Sequence, residues 1–336
     1  MDLKTLTEIN APSGHEQAIR RFLLDELKKL GFAPVLDRMG NVVVVKEGTG
    51  DAPRKRVMVS AHMDEVGLIV TSATEDGYLR IAAAGGIDPR VLVSKRVTVG
   101  EDKLPGVIGA VPIHLQSAAE RKHVLSMDEL LVDIGAKDKD EAERKAPMGT
   151  YISFDTPYVE YGDGFACGKA FDDRVGCLSL LRLLQEELPV DLVACFVSEE
   201  EVGCRGAKGA AFQQEPDIGI VLEGTTCNDL GDVPETAHVC EAGQGVAVSF
   251  MDGASIANRA LFRKALDVAK QENIPHQAKH SVSGGNDGGA IQRAREGVPV
   301  VVLSVPCRYI HSPSSVVKLS DVESQFALVK ALVKAL

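Results

Sequence analysis

The chain has 336 residues, 45% of them hydrophobic and 25% charged, with a net charge of −11 and a pI of about 5.3. That size and apolar content support a sizeable core and more than one domain. The acidic balance argues against nucleic acid or an anionic membrane surface as partner, since both want basic stripes.

The first residues, MDLKTLTEINAPSGHE, contain no apolar h-region, and no apolar run reaches the roughly 18 residues that span a bilayer. No secretory signal and no membrane partner are expected. The seven cysteines, Cys167, Cys177, Cys195, Cys204, Cys227, Cys240 and Cys307, form no C-x-x-C pair and are odd in number. Reduced, mostly buried thiols in a soluble cytoplasmic protein are the expectation.

The first strong element is a helix. Ser13 with Glu16 three residues on reads as a capping box, Ile19, Phe22, Leu23, Leu27 and Leu30 recur at helical spacing, and Gly31 ends the pattern. The runs NVVVV (Asn41 to Val45) and VMVSA (Val57 to Ala61) read as strands, the second leading straight into HMDE. From about Gly67 to Gly162 the texture changes to short β-rich runs separated by turns such as EDG and GED. SMDELLVDIGAKDKDEAERKA adds a strand and a short, solvated, charged helix. After Gly168 strands and amphipathic helices alternate to the end of the chain. The expected fold class is α/β, a mostly parallel sheet flanked by helices, formed by residues 1–66 and 163–336. Residues 67–162 would be an inserted small β-rich domain.

In open α/β sheets, ligands bind at the C-terminal ends of the strands. His62 and Asp64 follow VMVSA; Glu199, Glu200 and Glu201 follow LVACFVS; Glu223 follows IGIVL; His311 follows VVVLSVPCRYI. Asp172 sits just outside the helix that begins near Asp173. A lone histidine at a strand end is usually an ordinary polar residue. Five edges that all supply His, Asp or Glu, with no cysteine among them, make a site suited to zinc, cobalt or manganese. A carboxylate shared by two ions would permit a dinuclear centre with ions ~3.5–4 Å apart, and a spare glutamate could act as general base. In HMD, residues i and i+2 of an extended chain point the same way, so Asp64 can accept from the His62 ring nitrogen that faces away from a metal.

The segments SAHMDEVG, GKAFDDRVGC, SEEEVGCRGA, VLEGTT, SGGNDGGAIQ and RYIHSP, in this order, resemble the M42 metallo-aminopeptidases over essentially the whole chain. These are glutamyl or leucyl aminopeptidase-like tetrahedral (TET) peptidases, some of them labelled endoglucanases. The resemblance implies two divalent ions per subunit, bridged by Asp172. His62 and Glu223 would complete one, Glu201 and His311 the other. Glu200 would be the general base and Asp64 the residue orienting His62, with a cis peptide between Asp172 and Asp173. It also implies an inserted domain that mediates dimers, and a homo-dodecameric shell built from those dimers that admits peptides. The chain departs from the family where it has GGNDGG (Gly284 to Gly289) for the frequent GGTDAG, and where Glu223 replaces the aspartate of some relatives.

The leading expectation is a dinuclear-metal aminopeptidase. A deacylase or carboxypeptidase of the wider zinc-peptidase group would use the same centre, and a non-catalytic metal or peptide binder is the reading from another class. A glycosidase fits poorly, because paired carboxylates there need no histidine ligands. SGGNDGGA lacks the Lys-Ser/Thr of a phosphate loop, and the serines lie in no G-x-S-x-G elbow. His15, His123, His238, His276 and His280 read as ordinary polar residues, and His114 as a contact to a neighbouring subunit or the pocket. Glu200 and Glu201 are neighbours, so both reach one site only if the strand ends and the chain bends there. Glu199 is then the dispensable one.

Overall fold

Runs such as RVMVSAH and DLVACFV are apolar at nearly every position, which suits strands covered on both faces. The computed structural model describes residues 2–336. It begins with α1 (Leu3–Thr7), α2 (Gln17–Lys29), β1 (Val35–Leu36), β2 (Val42–Lys46) and β3 (Arg56–His62). An excursion follows through β4 (Gly67–Ala73), β5 (Leu79–Ala84), β6 (Arg96–Val99), β7 (Leu104–Gly109), β8 (Leu131–Asp133), α3 (Lys139–Lys145) and β9 (Tyr151–Phe154). The chain returns by β10 (Val159–Tyr161), β11 (Phe165–Gly168), α4 (Phe171–Leu183), β12 (Asp191–Val197), α5 (Arg205–Gln214) and β13 (Ile218–Thr226). It ends with β14 (Val246–Ser249), α6 (Arg259–Gln271), β15 (His276–Ala278), α7 (Asp287–Gln292), β16 (Val300–Arg308), β17 (Ser315–Lys318) and α8 (Leu319–Lys334).

The main sheet runs β1-β2-β12-β3-β13-β16-β17-β11-β10, with β14 joined to β16 and β15 to β14. Its centre, β12-β3-β13-β16, is parallel, as expected, and antiparallel strands flank it. Alternation along β3 divides the core. Val57 and Val59 face the helices α4 and α8, while Met58 packs with Val193, Ala207 and Ile291 beneath α5 and α7. Each such fully buried aliphatic side chain contributes roughly 1.5–3 kcal/mol. The register pairs His62 with Val197, so the chain leaving β12 passes directly beside the end of β3.

β4 to β9 close into a six-stranded barrel, β4-β5-β8-β7-β6-β9, with its own core of Leu68, Ile81, Val97, Ile108, Val132 and Ile152. The barrel ends at Phe154. β10, which falls inside the expected 67–162 segment, pairs with β11 in the main sheet. No described helix is long and apolar enough to cross a membrane.

One local expectation is corrected. Helix α2 begins at Gln17 with Glu16 as its cap residue and no side-chain cap bond. The Ser13 hydroxyl does not cap it, because it donates to Asp64 Oδ2 at 2.7 Å instead. Glu16 accepts from the Gly14 N–H at 2.8 Å, so the SGHE loop turns toward the strand ends.

Candidate metal and active centre

Every strand-end residue singled out from the sequence, apart from Glu199, faces one region at the carboxyl edge of the parallel strands. His62 is the last residue of β3. Its Nε2 lies 3.4 Å from Asp172 Oδ1 and 3.6 Å from Glu223 Oε2. On the other side of Asp172, Oδ2 lies 3.6 Å from His311 Nε2, which is 3.2 Å from Glu201 Oε2. Most of these separations are long for hydrogen bonds. Two ligand atoms ~2.1 Å from one ion at the tetrahedral angle stand about 3.4 Å apart, so the spacing fits chelation. His62 Nε2 and Glu223 Oε1 are buried without any hydrogen-bond partner, as donor atoms reserved for a cation would be.

Asp172 reaches this position because the helical run around it is broken. Asp172 (φ −82°, ψ 107°) and Asp173 (φ −122°, ψ 47°) are non-helical, and the peptide between them is cis. The regular part of α4 starts after Asp173, whose Oδ1 accepts from the Gly176 N–H at 2.9 Å in the manner of an N-cap. Its Oδ2 accepts from the His62 N–H at 3.2 Å. Gly224, just past Glu223 on β13, donates its N–H to Asp172 Oδ1 at 3.1 Å. A Cβ at Gly224 would stand 2.9 Å from that same oxygen, so a glycine is needed for the approach.

The glutamate run bends where β12 ends. Glu199 adopts φ +55° and Gly203 φ +118°, and the N–H groups of Gly203 and Cys204 return to the Glu200 carbonyl at 2.9 and 2.8 Å. Glu200 and Glu201 thereby turn toward the centre, while Glu199 pairs with Arg205 at 3.2 Å. Asp64 locks the bend: it accepts from the N–H of Glu200 at 3.0 Å and of Glu201 at 3.1 Å, besides Ser13. The nearest oxygen to His62 Nδ1 is the Asp64 carbonyl at 3.1 Å, with the Asp64 carboxylate at 3.5 Å. The ring is therefore oriented by both oxygens of one residue, the main-chain one being closer.

The site is short of positive charge. Burial pushes Glu201 up to about 8, with Asp172 and Glu200 adding to the shift and His311 opposing it. Burial likewise raises Glu200 and Glu223. Burial disfavours the charged form of His311, yet Asp172 and Glu201 bring it up to about 9. These are carboxylates and imidazoles held together against their own repulsion and desolvation. A cation would relieve that conflict. Imidazole and carboxylate donors without a thiolate suit a divalent ion of borderline to hard character.

A family model described as M42 glutamyl aminopeptidase matches residues 40–328. The chain belongs to this family. Its members are peptide hydrolases that use divalent metal, which agrees with the donor set. The chain is 33% identical to the lysyl aminopeptidase of Pyrococcus furiosus, over 99% of this chain and 96% of that protein. It is 32% identical to the glutamyl aminopeptidase of Lactococcus lactis, over 99% and 95%. Among solved structures, the Pyrococcus horikoshii TET1 peptidase, described as assembling into a tetrahedron or a large octahedral shell, matches with TM-score 0.87. It is 33% identical and covers 99% of this chain and 98% of its own.

Within this M42 chain the structure adds residues to which sequence reasoning gave no role at the centre. Asp173 and Ser13 hold His62 and Asp64; the doubled aspartate before a helix was a usable cap signal for the first. Asp287, inside the GGNDGG loop, is 1% exposed and neither carboxylate oxygen has a partner. Burial pushes its pKa well up, and Glu200 adds to the shift. Its acceptor oxygen, the Cys204 thiol and Glu200 lie within 4.8 Å of one another. Lys279 lines the same cavity as Asp172, Glu200, Glu223 and His311, a space of about 270 Å³. No local pattern in the sequence marks it.

Proposed function

We propose that the chain is a two-metal aminopeptidase that releases the N-terminal residue of peptides. One observation carries the reading: the two oxygens of Asp172 face two separate histidine–glutamate pairs, His62 with Glu223 and His311 with Glu201. Each pair would hold one divalent ion and Asp172 would hold both. Zinc and cobalt suit this ligand set best, with manganese next. When bound, the ions polarise the scissile carbonyl and acidify water at the centre.

The chain's own residues supply the rest. Glu200 lines the cavity without being one of the proposed ligands; its carboxylate takes the proton as water attacks and delivers it to the departing amine. Asp64 fixes the main chain of Glu200 and Glu201, and so keeps base and ligand in a constant relation. The free α-amine of the substrate is attracted by the carboxylates lining the cavity, which favours peptide N-termini over internal bonds. About 270 Å³ gives room for one terminal side chain. The test is removal of metal with a chelator and return of zinc, cobalt or manganese, followed by assay of aminoacyl substrates. Activity that survives stripping, or never returns, refutes the reading.

The barrel is proposed as the surface through which subunits pair, with dimers building a twelve-subunit shell. Support comes from the apolar loop after β7, where Val111, Ile113 and Leu115 are 60%, 68% and 70% exposed, and from the assembly described for the TET1 relative. Leu115→Glu should shift the particle mass in solution toward smaller species; a monomeric wild type removes the idea. The seven free thiols fit the reducing conditions of a cytoplasm.

A further inference from the structure

We propose that Lys279 selects peptides whose N-terminal residue is aspartate or glutamate. The inference rests on the aminopeptidase reading and names the substrate class of that site. The family alone leaves the question open, because a lysyl and a glutamyl aminopeptidase match this chain equally well.

Lys279 follows β15 directly, and its N–H donates to the Val248 carbonyl at 2.9 Å, so its main chain is anchored to β14. The residue is 6% exposed. Its Nζ donates to the Ser283 carbonyl at 3.0 Å and forms no salt bridge among the described residues. An ammonium carries three donors, so most of its capacity is unspent. Lys169, the other buried lysine, shows the usual arrangement: its Nζ is 2.8 Å from both oxygens of Glu65. The acid with the strongest influence on Lys279, Asp252, is already committed. It accepts from the N–H groups of Ala254 and Ser255, from Ser255 Oγ and from Asn286 Nδ2, all within 2.8 Å. Burial lowers the Lys279 pKa, with Asp252 opposing the shift.

A buried cation without a counter-ion is costly. Here it is the single lysine or arginine lining the candidate substrate cavity. The cavity's acidic members, Asp172, Glu200 and Glu223, belong to the proposed reaction centre. A substrate side-chain carboxylate would supply the missing partner, on a wall that also carries Asn286 and Thr226. An N-terminal lysine would instead meet a like charge. Selection thus acts through the terminal side chain, while the α-amine is held by the carboxylates.

The experiment compares kcat/KM of metal-loaded enzyme on tripeptides that differ only at residue one: Glu, Gln, Asp, Asn, Leu and Lys. Glu and Asp should exceed their amides by about 10- to 100-fold, because a charge-assisted hydrogen bond is at stake while shape is constant. Lys279→Met should erase that ratio. Lys279→Glu should raise Lys above Glu. Wild-type enzyme that cleaves Leu or Lys at least as fast as Glu overturns this inference alone. Cleavage of none of the six removes the aminopeptidase reading and this inference with it. The wild-type Glu-to-Gln ratio needs no variant, so misfolding of a mutant cannot rescue the idea.

Discussion

Asp64→Asn is a near-isosteric change whose cost can be worked from the contacts. The Asp64 carboxylate accepts three hydrogen bonds, from Glu200 N at 3.0 Å, Glu201 N at 3.1 Å and Ser13 Oγ at 2.7 Å, and is fully buried. An asparagine keeps one acceptor oxygen. Its NH₂ must then face one of the two main-chain N–H groups, donor against donor. Loss of one charge-assisted bond costs about 1.5–3 kcal/mol, and the stranded buried donor adds ~1–3 kcal/mol. The expected total is roughly 2.5–6 kcal/mol. With an unfolding entropy of ~2.1 cal/mol/K per residue over 336 residues, that corresponds to a fall in Tm of about 3.5–8.5 °C. Calorimetry on chelator-treated protein reads this cost without counting lost metal. Ser13→Ala, which removes a single bond, should cost only about 1 kcal/mol. In the metal-loaded enzyme the loosened Glu200–Glu201 bend should lower kcat of Asp64→Asn by ~10²-fold. A Tm within 1 °C of wild type together with unchanged kcat would refute the claim that Asp64 locks the bend.

The three consecutive glutamates should differ in the damage they do. Glu200→Gln should retain metal and lose about 10²–10⁴ in kcat, Glu201→Gln should lose metal, and Glu199→Gln should stay within a few-fold of wild type; metal analysis beside kinetics reads all three. Gly224→Ala should push Asp172 aside, since the new methyl would stand 2.9 Å from its Oδ1, and should weaken metal retention in a dialysis assay by ~10-fold or more. Asp229→Asn tests a pH dependence remote from the centre. Burial tends to raise the Asp229 pKa, but the Arg308 fork, with two contacts of 2.8 Å, outweighs it and holds the value below 3.8. A depressed carboxylate stabilises the fold above its unfolded pKa and loses that contribution as pH falls through the folded value. Wild type should therefore exceed Asp229→Asn by about 1.5–3 kcal/mol at pH 7, and the urea midpoints of the two stripped proteins should converge as pH drops below 3.8. Parallel curves over that range would contradict it.

Much of the fold was legible because burial leaves a local signature. β3 and β12 read as apolar runs that stop at His62 and at the glutamates, and strand ends are where ligands collect in α/β sheets. The position of Asp172 outside a helix could be read from GKAFDD for the same reason. The alternation that separates barrel strands by turns also survives in the sequence. What periodicity does not encode is which distant residues spend a side chain's bonding capacity. Ser13 and Glu16 have the spacing of a capping box, yet Ser13 bonds Asp64, 51 positions away. The HMD spacing placed Asp64 beside the His62 ring, but not the fact that its carboxylate is largely taken up by Glu200, Glu201 and Ser13. Lys279 looks like any surface lysine until the β14–β15 pairing carries it into the cavity wall. Each of these depends on register between segments far apart in the chain, which local pattern cannot specify.

The segment SEEEVG shows how the fold handles charge it cannot spread. The bend at Glu199 sends one carboxylate outward to Arg205 and two inward. The inward pair then joins Asp172 and Glu223 in a buried space beside the His62 and His311 imidazoles, with Lys279 on the cavity wall. The upward shifts of Glu201, Glu200 and Glu223 come first from burial and then from the repulsion of neighbouring carboxylates, which hydrogen bonds within the chain do not remove. The folded state without metal is therefore held in spite of its own centre. A cation that binds only the folded chain cancels that repulsion and adds its binding free energy to stability, ~2.7 kcal/mol at a hundred times Kd. By the entropy used above this is a rise of about 4 °C in Tm. The rise should depend on Glu201 and Asp172, so that Glu201→Gln and Asp172→Asn gain little from added zinc. Equal gains in those variants would place the ion elsewhere and break the link between the buried acids and the metal.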